Sequence, residues 1–411
     1  MTSTLAPVAV ALFLATTAIA NAQPTVRAFT GVRLIDGTDR APIANATLLV
    51  KDGRVVAAGP DSAVTIPSGA ERVALDGKTV IPGLINAHGH VTGVRDLATY
   101  AAYGVTTVYS LGGEPADVFA ARASQDMPSL ARSRVFVAGP VLTPTTADEA
   151  RAQVAGVAAQ RVDIAKIRVD DNLGTAPKMP AEAYRAVMTE SHRRGLRVAA
   201  HLFYLSDAKL LLEAGADLVA HSVRDTDVDA AFIAALKSTG VCVSPTLMRE
   251  VSAFVYESTP AWFDDPLFLA HANRAWMATV SDPARQASVR ASASAQRYKA
   301  ALDVASRNLK RLSDAGVMIA MGTDTGPVGR FQGYFELMEL ELMVKAGLTP
   351  RQALAAATRD AARCMQLDRE LGTLEPGQWG DFVVLDADPL ADISNVRRIN
   401  SVWIDGNRVV R

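Results

Sequence analysis

The stretch Ile81-Pro82-Gly83-Leu84-Ile85-Asn86-Ala87-His88-Gly89-His90 decides the reading of this chain. It closes an apolar run, residues 79–85, that reads as a buried strand, and it ends in two histidines with one residue between them. Side chains at i and i+2 of a strand share a side, so His88 and His90 aim two imidazoles at one point. A metal ion asks that of its ligands. Taken alone, the pair reads equally well as two ordinary loop histidines. What separates the readings is whether later strands end in further ligands.

They do. Downstream, one pattern recurs: a helix-like segment ends at a glycine, a short apolar strand follows, and the strand ends in a polar residue. Gly104 leads into residues 105–110, Gly195 into 196–201, Gly215 into 217–221, Gly240 into 241–246 and Gly316 into 317–324. Glycine is the expected residue just past a helix C-terminus. With the strand at Ile81 and those at 134–138 and 164–169, the count is eight. Strands alternating with helices imply a parallel sheet. Eight of them imply an α/β fold, the (β/α)8 TIM barrel, with its active site at the C-terminal strand ends. Those ends carry His88 and His90, His201, His221 and Asp324.

The flanks differ. Residues 23–80 read as short strands and turns, with Asp52-Gly53 as a hairpin turn. After the barrel segment, 81–370, the tail 371–411 gives further strands and a second Asp-Gly turn at Asp405-Gly406. These strands have no barrel to join, so a small β-sandwich domain built from both chain ends is expected. Residues 250–306 are too long for an ordinary loop. They read as a helical insertion on the catalytic face, either a lid or a hairpin that only packs there.

Residues 5–20 are almost wholly apolar and are followed by small residues, so 1–22 reads as a signal peptide and the protein as secreted or periplasmic. No later stretch is long and apolar enough to span a bilayer. The 42 basic and 43 acidic residues nearly balance, which argues against a nucleic-acid partner. The expected partner is a small-molecule substrate, and a homo-oligomer is compatible with the sequence. Cys242 and Cys364 both lie in apolar surroundings and read as buried free thiols.

These residues resemble the amidohydrolase superfamily of metal-dependent hydrolases, in the branch of imidazolonepropionase-related enzymes and Xaa-Pro dipeptidases. The resemblance rests on Pro82-Gly83-Leu84-Ile85 before His88-Gly89-His90, residues 104–108, a strand-four lysine, the single histidines 201 and 221, Gly322-Thr323-Asp324, and the tail 374–384. It implies two divalent metal ions, with zinc suiting the ligands. His88, His90, Lys166 and Asp324 would hold the more buried ion and Lys166, His201 and His221 the outer one. Lys166 would be N-carboxylated to serve as the bridging ligand, with a hydroxide also bridging the pair. The alternative places Lys166 on the outer face, with Asp163 or Arg168 inside. Asp324 would be the catalytic proton carrier, where its bland reading is a helix N-cap. Tyr204, Arg224 and Arg330 are candidate substrate contacts, with Gln332 beside them. His192 and His271 read as structural and surface residues.

The implied activity is hydrolysis of an amide C–N bond by a dipeptidase or carboxypeptidase-like enzyme. A lactonase or esterase on the same site is the alternative. A mononuclear deaminase or cyclic amidohydrolase is disfavoured by Lys166, and a non-catalytic scaffold by the filled ligand positions.

Overall fold

The computed structural model describes residues 26–409. The signal-peptide expectation for residues 1–22 lies outside them. Among the described residues no helix is long and apolar enough to cross a membrane.

The apolar run read as a single strand is two. Thr79–Pro82 pairs with Phe382–Leu385 and Arg33–Leu34, and Leu84–Gly89 pairs with Val105–Ser110. Gly83 is the joint. A Cβ there would fall 2.1 Å from the Thr106 hydroxyl oxygen, so only glycine leaves room for the Thr106 side chain. One continuous stretch thus serves two sheets.

The first sheet has eight strands. Val26–Leu34, Ile43–Lys51, Arg54–Pro60, Glu71–Ala74 and Thr79–Pro82 come from the N-terminal side, and Phe382–Leu385, Ile399–Ile404 and Asn407–Arg408 from the C-terminal side. The hairpins turn at Asp52-Gly53 and Asp405-Gly406, as their sequence predicts. Hydrogen bonds link all eight strands into one sheet, and a core of Phe29, Leu48, Val80, Phe382 and Trp403 packs on it.

The site stands on two parallel sheets. One contains Leu84–Gly89, Val105–Ser110 and Arg134–Val137. The other contains Ala165–Arg168, Val198–His201, Leu218–Ala220 and Cys242–Ser244. Leu142 bridges to Ile167 between them. The expected strand at 317–324 is not a regular strand. It bridges once, Val243 to Ile319, and the Ala87 N–H donates to the Met321 carbonyl. It ends at Asp324, whose φ of +57° lies outside the strand region. Helices follow the strands as expected; Gly240, with φ +71°, closes Ala230–Thr239.

The insertion is helical. Asp265, Asn273, Asp282 and Ser292 each cap a helix by accepting a backbone N–H, which is the preferred chemistry at that position. Trp262, Phe263 and Phe268 pack edge-on against Phe331, and Trp262 and Phe268 also meet Tyr334. The Tyr256 hydroxyl donates to the Gly329 carbonyl. The insertion therefore grips the loop that follows Asp324.

The cysteines are corrected. Cys242 and Cys364 form a disulfide, with Cα atoms 5.9 Å apart, inside the span such a bond tolerates. Burial was expected. The pairing was not, because 122 residues separate the two in sequence and only the packing of helix Arg359–Cys364 against strand Cys242–Ser244 brings them together.

Candidate metal centre

His88, His90 and Asp324 come together with their ligand atoms within 4.8 Å of one another. The strand Leu84–Gly89 delivers both histidines to its C-terminal end, and the irregular segment beside it delivers the aspartate. His90 Nδ1 lies 3.0 Å from the Gly112 carbonyl oxygen and its Nε2 lies 2.9 Å from Asp324 Oδ1. A carbonyl only accepts, so Nδ1 carries the proton and Nε2 carries a lone pair in the neutral ring. That lone pair faces a carboxylate oxygen. Two acceptors at this distance repel unless positive charge lies between them, so the pair asks for a proton or a metal cation.

Lys166 enters from the neighbouring sheet. Its Nζ is 3.2 Å from His88 Nε2, and the side chain is almost wholly buried. Asp163, the alternative inward residue, points elsewhere and pairs with Arg122. Arg168 reaches the rim and donates to Asp170. Burial pulls the Lys166 ammonium down to about 7, despite the opposing pull of Asp324. Near neutrality this lysine is to a large extent a free amine.

His201 and His221 close the group. Their rings lie 4.2 Å apart, and the His221 ring is 4.5 Å from that of His88. His201 Nε2 is 3.0 Å from Asp170 Oδ2. Burial raises the Asp170 carboxyl, but His201 and Arg168 outweigh it and hold it ionised, hence acceptor only. His201 therefore donates from Nε2 and keeps its lone pair on Nδ1. His221 Nδ1 is 2.7 Å from the Thr246 hydroxyl, while its buried Nε2 has no hydrogen-bond partner. Three imidazoles thus each have one nitrogen anchored and one left for another task, the arrangement metal-binding histidines share.

The protonation states suit a cation. Burial lowers His88 and His221 well below the usual imidazole value and brings His201 to about 3, so all three are neutral. Burial raises the Asp324 carboxyl, but the Arg330 guanidinium foremost overcomes this and holds it well below the usual carboxylate range. Metals bind these forms, neutral imidazole and ionised carboxylate. Backbone strain gathers here too: His221, Thr246 and Asp324 have φ of +137°, +52° and +57°. Such conformations survive where surrounding contacts enforce them.

The remaining expected residues fare differently. Arg330 pairs with Asp324 and receives support from Ser252. Tyr204 begins helix Leu205–Glu213 and donates to Asp171, at the rim. Arg224 is 1% exposed, donates from Nη1 to the Leu202 and Ser222 carbonyls and pairs with Glu250, while its Nη2 is buried without a hydrogen-bond partner. His192 pairs with Asp217 and His271 lies against Tyr103, both away from the cluster.

Sequence reasoning missed Asp170, Thr246 and Glu336. Asp170 and Thr246 carried a weak signal, as polar residues just past the ends of strands four and seven. Glu336 carried none. It sits buried on helix Tyr334–Lys345 and accepts from Asn86, Thr323 and Thr325, while Asn86 in turn accepts the His88 N–H. This network ties the histidine strand to the residues either side of Asp324.

Residues 79–409 match the model of the amidohydrolase family. The chain belongs to the amidohydrolase family. An imidazolonepropionase of Streptomyces coelicolor is 26% identical to this amidohydrolase over 430 aligned positions, covering 90% of this chain and 95% of that one. An imidazolonepropionase of Deinococcus deserti is 38% identical over 104 residues, and that match spans only 26% of the relative and 24% of this chain. Among solved structures, a candidate prolidase from Bifidobacterium longum aligns with a TM-score of 0.77 at 27% identity, covering 94% of this amidohydrolase and 95% of that chain. A Xaa-Pro dipeptidase with methionine bound in its active site aligns at 0.76 over 94% of this chain and all of that one; at 18% identity it speaks for the fold alone.

Proposed function

We propose that this amidohydrolase is an exported binuclear metal-dependent hydrolase that cleaves an amide C–N bond in a small substrate such as a dipeptide or N-acyl amino acid. The observation that carries the reading is the cluster itself: His88, His90 and an ionised Asp324 meet at one point, and the buried, easily deprotonated Lys166 and the anchored His201 and His221 lie beside them. His88, His90, Lys166 and Asp324 are the proposed holders of one ion, and Lys166, His201 and His221 of the other. Divalent cations bound there, zinc being suited to the donors, supply Lewis acidity and lower the pKa of water towards neutrality.

The chain's own residues account for the rest. A lysine left as a free amine at neutral pH can take up CO2 and release a proton, becoming an anion suited to bridge two cations. Asp324, ionised and oriented by His90 and Arg330, is the group placed to accept a proton from the attacking water and pass it to the leaving amine. The similarity to the Bifidobacterium longum structure named as a prolidase favours a peptide-like amide over an ester or lactone. A closed (β/α)8 barrel with a β-sandwich from both chain ends, divided at the Gly83 joint, belongs to the same proposal. Export is supported by the apolar leader and by the disulfide, since such bonds persist in oxidising compartments.

Two measurements test this. Metal analysis of purified protein should give close to two ions per chain, and Lys166→Ala should lower that number. A wild-type protein with a single ion, indifferent to Lys166→Ala, would refute the binuclear site. Turnover across dipeptides, N-acyl amino acids and lactones should be highest with an amide; fastest turnover of a lactone would transfer the assignment to ester chemistry.

A further inference from the structure

Thr246 is the residue before helix Leu247–Phe254, where threonine ordinarily caps by accepting a backbone N–H with its hydroxyl. Here it does not cap. Its hydroxyl turns to His221 Nδ1 at 2.7 Å instead. Its backbone is left-handed, φ +52° and ψ +49°, a conformation a β-branched residue rarely adopts. Something must hold Thr246 there and satisfy the helix N–H groups it has abandoned.

Glu339 does both. It sits on helix Tyr334–Lys345, is 0% exposed, and accepts the Leu247 N–H at 2.8 Å and the Met248 N–H at 2.6 Å, one on each carboxylate oxygen. These are the two residues that follow Thr246. Among the described residues no lysine or arginine forms an ion pair with Glu339, and burial pushes its carboxyl up to about 8. A buried, unpaired acid is a costly element in a core. An apolar side chain would fill the space at lower free energy but would leave the two N–H groups unsatisfied and Thr246 free to relax.

We propose that Glu339 is a positioning residue for His221: it takes over the cap of helix Leu247–Phe254 so that the Thr246 hydroxyl is free to orient the imidazole. The chain of contacts runs Glu339 carboxylate, Leu247 and Met248 N–H, Thr246 backbone, Thr246 hydroxyl, His221 Nδ1. Its far end is His221 Nε2, buried and without a partner. The inference rests on the reading of His221 as a ligand of the outer ion. It adds that the affinity for that ion is set in part by a carboxylate that touches neither the metal nor its ligands.

The test uses the full-length protein and four forms: wild type, Glu339→Gln, Thr246→Val and the double variant. The affinities for two zinc ions are measured by competition with a chelator of known strength, and thermal unfolding of the metal-free forms reports whether each folds. Outer partners of ligating histidines typically contribute a factor of about 10 to 100 in metal affinity. The weaker ion should lose about tenfold in each single variant, with the tighter ion unchanged. Because both residues act through one chain of contacts, the double variant should be no worse than the more affected single. If Glu339→Gln fails to fold, Thr246→Val still carries the test of the hydroxyl. Equal weakening of both ions, unchanged affinities, or effects that multiply in the double variant would overturn the inference. A wild type that binds one zinc ion would overturn the two-ion reading first, and that result is seen before any variant is compared.

Discussion

Reducing the Cys242–Cys364 bond should weaken the fold while leaving the site assembled. The bond joins residues 122 apart in sequence. In the chain-entropy model a loop of this length raises the free energy of the unfolded chain by about 5 kcal/mol, and native disulfides typically deliver about 2–5 kcal/mol when removed. Both cysteines are buried, so alanine replacement also deletes two packed sulfur atoms, and phosphine reduction of the wild type is the cleaner perturbation. Cys242 is the first residue of its strand, whereas Thr246, which touches His221, lies beyond the strand's last residue. The loss should therefore fall on stability and not on ligand geometry. Urea unfolding followed by circular dichroism should show a lower midpoint for reduced protein and for Cys242→Ala/Cys364→Ala, at unchanged metal content in dilute buffer. Two free thiols per chain titrated in denaturant without reductant, or identical midpoints before and after reduction, would refute the reasoning.

Further outcomes are expected. Asp324→Asn should keep most bound metal but reduce turnover by two orders of magnitude or more, as expected for loss of a general base; near-normal turnover would remove its role as proton carrier. Chelation should abolish hydrolysis and zinc should restore it, with full activity in excess chelator counting against metal chemistry. Arg330→Met removes the cation that holds Asp324 ionised; kcat should fall more than KM rises, whereas a pure KM effect would make Arg330 a substrate contact. Glu339 gives a pH signature. Its folded-state carboxyl lies at about 8, above the usual 4.5, so the folded chain keeps a proton that the unfolded chain loses. The contribution is present below about pH 4.5 and is lost as pH rises to about 8. Metal-free wild type should therefore lose stability relative to Glu339→Gln across that window, by an amount on the order of a few kcal/mol; parallel pH profiles in urea would contradict it.

The residues of the cluster were legible because they obey a simple period. His88 and His90 stand two apart on a strand, and His201, His221 and Asp324 close segments whose glycine-then-apolar pattern repeats. What sets ligand orientation was not legible. Asp170 reaches His201 across 31 residues, Thr246 reaches His221 across 25, and Glu336 reaches Asn86 across 250. No local pattern marks such contacts, because each depends on how separate elements dock. The pairing of Arg224 with Glu250 was hidden for the same reason. The Gly83 joint was hidden by continuity, since two strands in different sheets read as one apolar run. The irregular path of 317–324 was hidden by its apolar composition, which favours a strand.

That Gly83 joint also governs when the protein can be finished. Strand Thr79–Pro82, the stem on which His88 and His90 are carried, takes hydrogen bonds from Phe382–Leu385, and the Gly83 N–H donates to the Asp381 carbonyl. A ribosome makes the histidine pair early and its supporting strand almost last. Until the C-terminal residues emerge, the stem has one open edge and the pair has no fixed footing. A chain that lost its final strands would lose the footing of its histidine pair with every residue of the cluster still in place.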